Sequence, residues 1–265
     1  MTGWRLLLLL AAFALALPAG SAQAAAWTHP AGSGLFIGTA AFTTGDRYLR
    51  SGGSTPVPSY TKVEERFLIE YGLTDWITAI AMPSLRWTRA GGAPADVFFG
   101  LGYTDLGARV RLWQQEASVF SFQVLGRIPG ARDDGRRAQF GNTAGELDLR
   151  LLFGHGFSTL GRPAFVNLEA AYRLRFRDPP DEFRFDATYG WRPVEHWLLL
   201  AQSFTVASHG AGRGAYGSSW YTRVQLSAAY EWSPGWWLQA GGLVTLAGHN
   251  ALRENGAIVA LWRRF

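Results

Sequence analysis

The chain has 265 residues, 48% of them hydrophobic and 14% aromatic, with 12 Trp, 32 Gly, no Cys and a formal net charge of +5. Without cysteine it carries neither a disulfide framework nor a lipid-modified thiol, and beyond its first residues no apolar run nears the roughly 20 residues of a spanning helix. The 25 basic and 20 acidic side chains form no Lys/Arg-rich run interleaved with aromatics, which argues against nucleic acid as a partner.

Arg5 precedes the uncharged apolar run Leu6–Leu17, then Pro18-Ala19-Gly20 and the small residues Ala22, Ala24 and Ala26. This is the pattern of a secretory signal peptide over residues 1–26, too short in its apolar part to span a membrane, with cuts before Ala25 and before Trp27 both open. Residues 27–265 then form one domain.

From Ser33 onward, alternating segments are predicted at 33–44, 59–71, 76–88, 101–113, 117–128, 143–155, 163–176, 182–191, 196–208, 219–232, 236–247 and 255–265. Gly72-Leu73-Thr74-Asp75, Gln114-Gln115-Glu116, 158–162, 192–195 and Ser233-Pro234-Gly235 are short connections; 45–58, 89–100, 129–142, 177–181, 209–218 and 248–254 are long ones. Short turns alternating with long loops, and an even strand number that puts both termini on one side, are the rhythm of an all-β transmembrane antiparallel barrel of about twelve strands. The last strand ends on Phe265, which reads as the assembly signal that such barrels present to the barrel-assembly machinery.

Successive side chains on a strand point to opposite faces, so each segment owns one charged and one apolar surface. Lys62, Glu64, Arg66 and Glu70 oppose Val63, Phe67, Ile69 and Tyr71; Asp105, Arg109 and Arg111 oppose Leu106, Ala108, Val110 and Leu112. Glu146, Asp148 and Arg150 oppose Leu147, Leu149 and Leu151, and Glu169, Arg173 and Arg175 oppose Leu168, Tyr172, Leu174 and Phe176. Arg184, Asp186, Arg223 and Glu231 extend the charged set, giving nine basic and eight acidic lumen residues.

A soluble barrel shows the same alternation turned inside out. Three features select the membrane: strands longer than the usual five or six residues, aromatic residues crowding the short turns, and charges too costly for a dry core. The short-turn aromatics are Tyr71, Trp76, Trp113, Phe153, Phe157, Trp191, Trp197, Trp232, Trp236, Trp237, Trp262 and Phe265. A looser set near the long loops comprises Tyr60, Trp87, Phe140, Phe183, Trp220 and Tyr221.

A nearly neutral lumen argues against selectivity by net charge. Two arrangements stay open: opposed ladders across an open pore, or Arg–carboxylate pairs packed in a narrow one. The loop around Asp133-Asp134-Gly135 offers Arg132, Arg136 and Arg137 as anion contacts for lipopolysaccharide or an acidic polymer, against the plainer reading of a solvated turn. His209 and His249 fall near Ser208, Ser218 and Ser219, pairings that chance supplies in polar loops, so no catalytic residue is assigned. Five scattered His and no Cys give no metal site, and no cofactor is expected.

The stretches Glu70-Tyr71-Gly72-Leu73-Thr74-Asp75-Trp76, Gly100-Leu101-Gly102-Tyr103-Thr104-Asp105-Leu106-Gly107-Ala108-Arg109 and Pro179-Pro180-Asp181-Glu182-Phe183-Arg184, with the Ala251-Leu252-Arg253-Glu254 approach to the last strand, resemble the outer-membrane barrels called XagA. They are similar also to the wider group of phenol-degradation and transport barrels of the MetA pathway. The resemblance implies a location in the outer membrane of a Gram-negative cell, among lipid and lipopolysaccharide. For XagA it implies a link to surface polysaccharide and biofilm genes, and for the wider group passage of small aromatic solutes. It brings no active-site residues. One departure is Arg263, where such barrels place an outward aromatic, although Leu261, Val259 and Ala257 keep the apolar row. The expected function is therefore a channel or export-associated barrel, with surface polysaccharide as favoured cargo. Small aromatic or hydrophobic solutes, or a non-conducting structural barrel, are the alternatives.

Overall fold

A computed structural model describes residues 25–130, 138, 143–214 and 216–265. The strands are β1 (Gly34–Arg50), β2 (Gly53–Thr74), β3 (Ile77–Met82, resuming after Pro83 as Ser84–Ala90) and β4 (Asp96–Leu101, resuming after Gly102 as Tyr103–Gln115). They continue as β5 (Ser118–Pro129), β6 (Glu146–Thr159), β7 (Arg162–Arg175) and β8 (Glu182–Trp191). The last four are β9 (Trp197–Ser208), β10 (Trp220–Ser233), β11 (Trp236–His249) and β12 (Ala251–Arg264). Each pairs antiparallel with its chain neighbours, and β1 pairs with both β2 and β12, so the ring is closed without an edge. The break in β3 falls at Pro83, which has no N–H to give to the ladder; only its carbonyl is used, by the Phe67 N–H.

Short turns close one end of the barrel. Leu160 and Gly161 both sit at positive φ, the backbone of a tight two-residue hairpin. The other end differs from the expectation in three places. Residues 45–58 are mostly ladder, because β1 and β2 stay paired to Arg50 and Gly53 around a turn in which Gly52 takes φ +84°. Residues 89–100 shrink to a connection at 91–95, and 248–254 to the single residue Asn250, whose φ of +50° suits an asparagine. Beyond the membrane both faces of these strands are wet, so the apolar alternation that marks a strand is lost there although the pairing is not.

The outward face carries large exposed hydrophobics, among them Phe42, Leu106, Leu112, Leu151, Leu226, Leu238 and Val259, whereas Asp148, Asn167 and Thr78 on the inward face are fully buried. That inversion is stable only against hydrocarbon, and the chain is a transmembrane barrel. Tyr71, Trp76, Trp113, Trp197, Tyr230, Trp232 and Phe265 form the outward aromatic girdle at the short-turn end. Trp237 and Trp262 do not join it. They share the inward face with Gln239 and Ile258 respectively, and their rings lie 6.4 Å apart, tilted by 34°, inside the barrel. The outward Arg263 lies 4.9 Å over the Trp236 ring, so its alkyl stem covers apolar surface in place of an aromatic.

Candidate functional site

The lumen is built from two unlike walls. One, from β2 to β8, is a network of ion pairs. Asp105 and Arg127 are 3.0 Å apart, and Arg127 also holds Glu146. Glu146 meets Arg175 at 2.9 Å, which meets Glu182 at 3.0 Å, and Arg184 approaches Glu182 at 3.7 Å. Asp148 takes Arg173 at 2.9 Å. Most of this is dictated by register: Glu146 stands opposite both Arg127 and Arg175, and Asp148 opposite Arg173. Opposite charges at facing positions attract; like charges repel. The one like pair is Glu169 opposite Asp186, and Arg150 from β6 reaches both, the latter at 2.8 Å, while keeping Asp148 at 3.1 Å. Toward β2, Glu64 collects Lys62, Arg66 and Arg86 within 3.6 Å, and Glu70 takes Arg109 at 2.6 Å.

Not every charge assigned to the lumen belongs to this network. Arg111 donates to Gln114 near the short turns, Glu231 accepts the Gly235 N–H at 3.0 Å, and Arg223 holds Glu254 across the barrel's other side. Arg86, Arg127, Glu182, Glu254 and His29 are lumen residues that sequence reasoning did not place. Arg132, Arg136 and Arg137 lie outside the described residues. His209 hydrogen-bonds the Tyr172 hydroxyl at 2.9 Å, and Ser208 spends its own hydroxyl on Gly210 O and Ser219 N–H, so the two form no nucleophile–base pair.

The second wall, from β9 through β12 to β1, carries few charges: the Arg223–Glu254 pair, and Glu231 and Arg264 at the short-turn end. Leu198, Leu200, Ile258 and Ala260 supply apolar surface, and glutamines supply neutral hydrogen bonds. Gln225 donates to Gln202 at 2.8 Å, Gln239 donates to Ser227 at 2.7 Å, and Trp262 donates to Gln239 at 3.1 Å.

Between the walls runs a strap formed by Ala25–Pro30, entering from the short-turn end and crossing under β2 to β7. Every step of it is held. Thr28 Oγ1 donates to Asp75 O, His29 N–H to Thr78 Oγ1 at 2.8 Å, and the His29 ring contacts Glu70 at 2.9 Å. Arg109 donates to Trp27 O at 2.9 Å; Ser121 donates to Ala26 O, and Ala26 N–H to Asn167. Two glycines make the room. A Cβ on Gly72 would stand 2.1 Å from Pro30 O, and one on Gly154 would stand 2.3 Å from the Trp27 ring. Ala26 and Trp27 pack on Val119 and Leu152, an apolar patch in the charged wall.

Two cavities flank the strap. One of about 430 Å³ runs up the lumen between the two walls, with Arg66, Glu70, Arg150, Glu169 and Asp186 on one side and Leu198, Leu200, Gln202 and Ile258 on the other; another of about 830 Å³ opens at the short-turn mouth. Trp27, Phe165 and Arg264 line both and form the partition between them.

No protein-family model matches the chain, and no curated protein matches it. Among solved structures it is similar to the COG4313 outer membrane channel from Pseudomonas putida F1, at 16% identity and a TM-score of 0.73 over 92% of this chain and 99% of that one. It is also similar to the NanC porin, at 10% identity and a TM-score of 0.53 over 87% and 100% of the two chains. The translocator domain of the autotransporter NalP from Neisseria meningitidis follows at 12% identity and a TM-score of 0.51, over 89% and 90%. At these identities the likeness is one of fold, the twelve-stranded barrel of outer-membrane proteins.

Proposed function

We propose that the chain is an outer-membrane conduit for small, largely uncharged solutes, narrowed at its periplasmic, short-turn end by the Ala25–Pro30 strap. The observation that carries this reading is the asymmetry of the lumen. Its charges neutralise one another on one wall, and the free space lies between those paired charges and the wall of Leu198, Leu200, Gln202 and Ile258. A neutral or apolar solute moving there breaks no ion pair and loses little hydration. Surface polysaccharide, the cargo favoured by resemblance to XagA, fits less well, since a polymer needs more than a 430 Å³ cavity behind a strap. The exposure of Phe265, outward at 55% beside Gly34, supports its reading as the assembly signal.

We further propose that signal cleavage falls before Ala25. A cut before Ala25 leaves Ala26 to satisfy Ser121 and Asn167, both fully buried; a cut before Trp27 leaves both without that partner. Mass spectrometry of the mature protein is expected to find Ala25 first.

Refolded protein in planar bilayers is expected to give small, discrete conductance steps, and deletion of residues 25–31 is expected to enlarge them several-fold. Silence of both proteins, with correct folding shown by heat-modifiable gel mobility, overturns the conduit.

A further inference from the structure

Eight arginines inside the barrel, Arg86, Arg109, Arg127, Arg150, Arg173, Arg175, Arg184 and Arg223, each hold a carboxylate within 4.0 Å. The short-turn mouth breaks this rule. Arg192 and Arg264 line its 830 Å³ cavity, and among the described residues neither has an ion-pair partner. Two acids line the same cavity: Glu231, which accepts the Gly235 N–H, offsets part of the charge of both arginines without forming an ion pair, and Glu195 is exposed beside His196. Both guanidinium groups crowd one indole, with Arg192 at 4.9 Å and Arg264 at 6.0 Å from the Trp237 ring centre. Two cations sharing one ring repel each other, an arrangement that an anion between them would relieve.

Hydrogen bonding tells the same story. Trp237 is 1% exposed, yet its indole Nε1 has no acceptor, and the Arg192 Nε is buried and unpartnered too. Buried donors without acceptors are rare and mark a missing partner. Burial draws the Arg192 guanidinium below its ordinary pKa, and Glu231 only partly offsets this. The rest of the lining mixes the apolar groups of Trp27, Phe157, Phe165 and Val194 with the polar ones of Arg162 and His196.

We propose that this vestibule binds a small carboxylate with an apolar body, the carboxylate lying between Arg192 and Arg264 and the body lying against Trp27 and Phe165. Both parts are needed, because the arginines reward charge and the aromatic walls reward apolar area. The proposal rests on the conduit reading only for the mouth being open; a carboxylate reaches the vestibule from the short-turn side without crossing the lumen, and binding is measured without conductance, so the two can fail separately.

The test is calorimetric titration of the refolded full-length mature protein in detergent with benzoate and hexanoate. Acetate, which is head alone, and benzyl alcohol, which is body alone, are the controls. Benzoate or hexanoate is expected to bind at about millimolar strength or better, and each control at least about tenfold more weakly. Arg192→Gln and Arg264→Gln should each weaken benzoate about tenfold, and Arg192→Lys, which keeps the charge, should recover part of it. Folding of each variant is read from heat-modifiable mobility. Equal binding of benzoate by a folded Arg192→Gln/Arg264→Gln double variant, equal binding of benzyl alcohol, or no heat from wild-type protein overturns the proposal.

Discussion

The two walls of the lumen use the same backbone and opposite chemistry. From β2 to β8, charged side chains are locked to one another by cross-strand register; from β9 to β1, amides and aliphatic groups leave space beside them. The contrast teaches that charge in a barrel interior need not be a selectivity filter. A carboxylate that already holds two arginines, as Glu146 does, has little field left for a passing ion. It is structural, and the quieter wall is where a solute finds room.

The comparison can be broken most sharply at Arg150. Replacing it with Met strands Glu169 and Asp186 as facing carboxylates and leaves Asp148 to Arg173 alone, and the expected loss is about 3–5 kcal/mol in urea unfolding. The matched change on the other wall, Gln202→Leu, should stay within about 1–2 kcal/mol, since only two neutral hydrogen bonds are lost, one from Gln225 and one to Thr188. Equal losses from the two would erase the distinction between the walls.

Next in size is the strap. Gly154→Leu puts side-chain atoms where the Trp27 ring lies, and the strap is expected to leave the lumen: larger conductance steps and cleavage of the N-terminus by added protease. A protected N-terminus in this variant would show that the strap is not a separable part. The smallest expected effect is at His29. In His29→Gln, Glu70 keeps Arg109 at 2.6 Å, so stability should move by less than about 1 kcal/mol while strap protection falls measurably in hydrogen exchange.

Much of this was legible from alternation alone. Period two puts Glu146, Asp148 and Arg150 on one face whatever lies around them, and the ring of short turns follows from Gly72, Gly161 and Gly235. Arg127 was within reach of the same logic, two residues past Leu125 on the inward face of β5. Trp237 was misplaced because residue type was allowed to outweigh parity: a tryptophan beside a turn suggests a girdle, but its neighbour Trp236 already fills that side. Glu254 was hidden in what reads as a polar loop. The strap could not be found at all, because Trp27-Thr28-His29-Pro30 has no period and its partners Asn167 and Thr78 are far along the chain. Nor could sequence show that Arg192 and Arg264 lack carboxylates, which is a statement about distance.

Gly34 ties these parts together. Its N–H donates to Phe265 O at 2.7 Å and its carbonyl accepts from Phe265 N–H at 3.1 Å, while the preceding Ser33 carbonyl accepts from Gly72 N–H. The stitch that seals the first strand to the last is therefore also the hinge pin of the segment lying across the mouth. A pull on the carboxyl end of the chain falls first on Gly34, four residues beyond Pro30, where that segment ends.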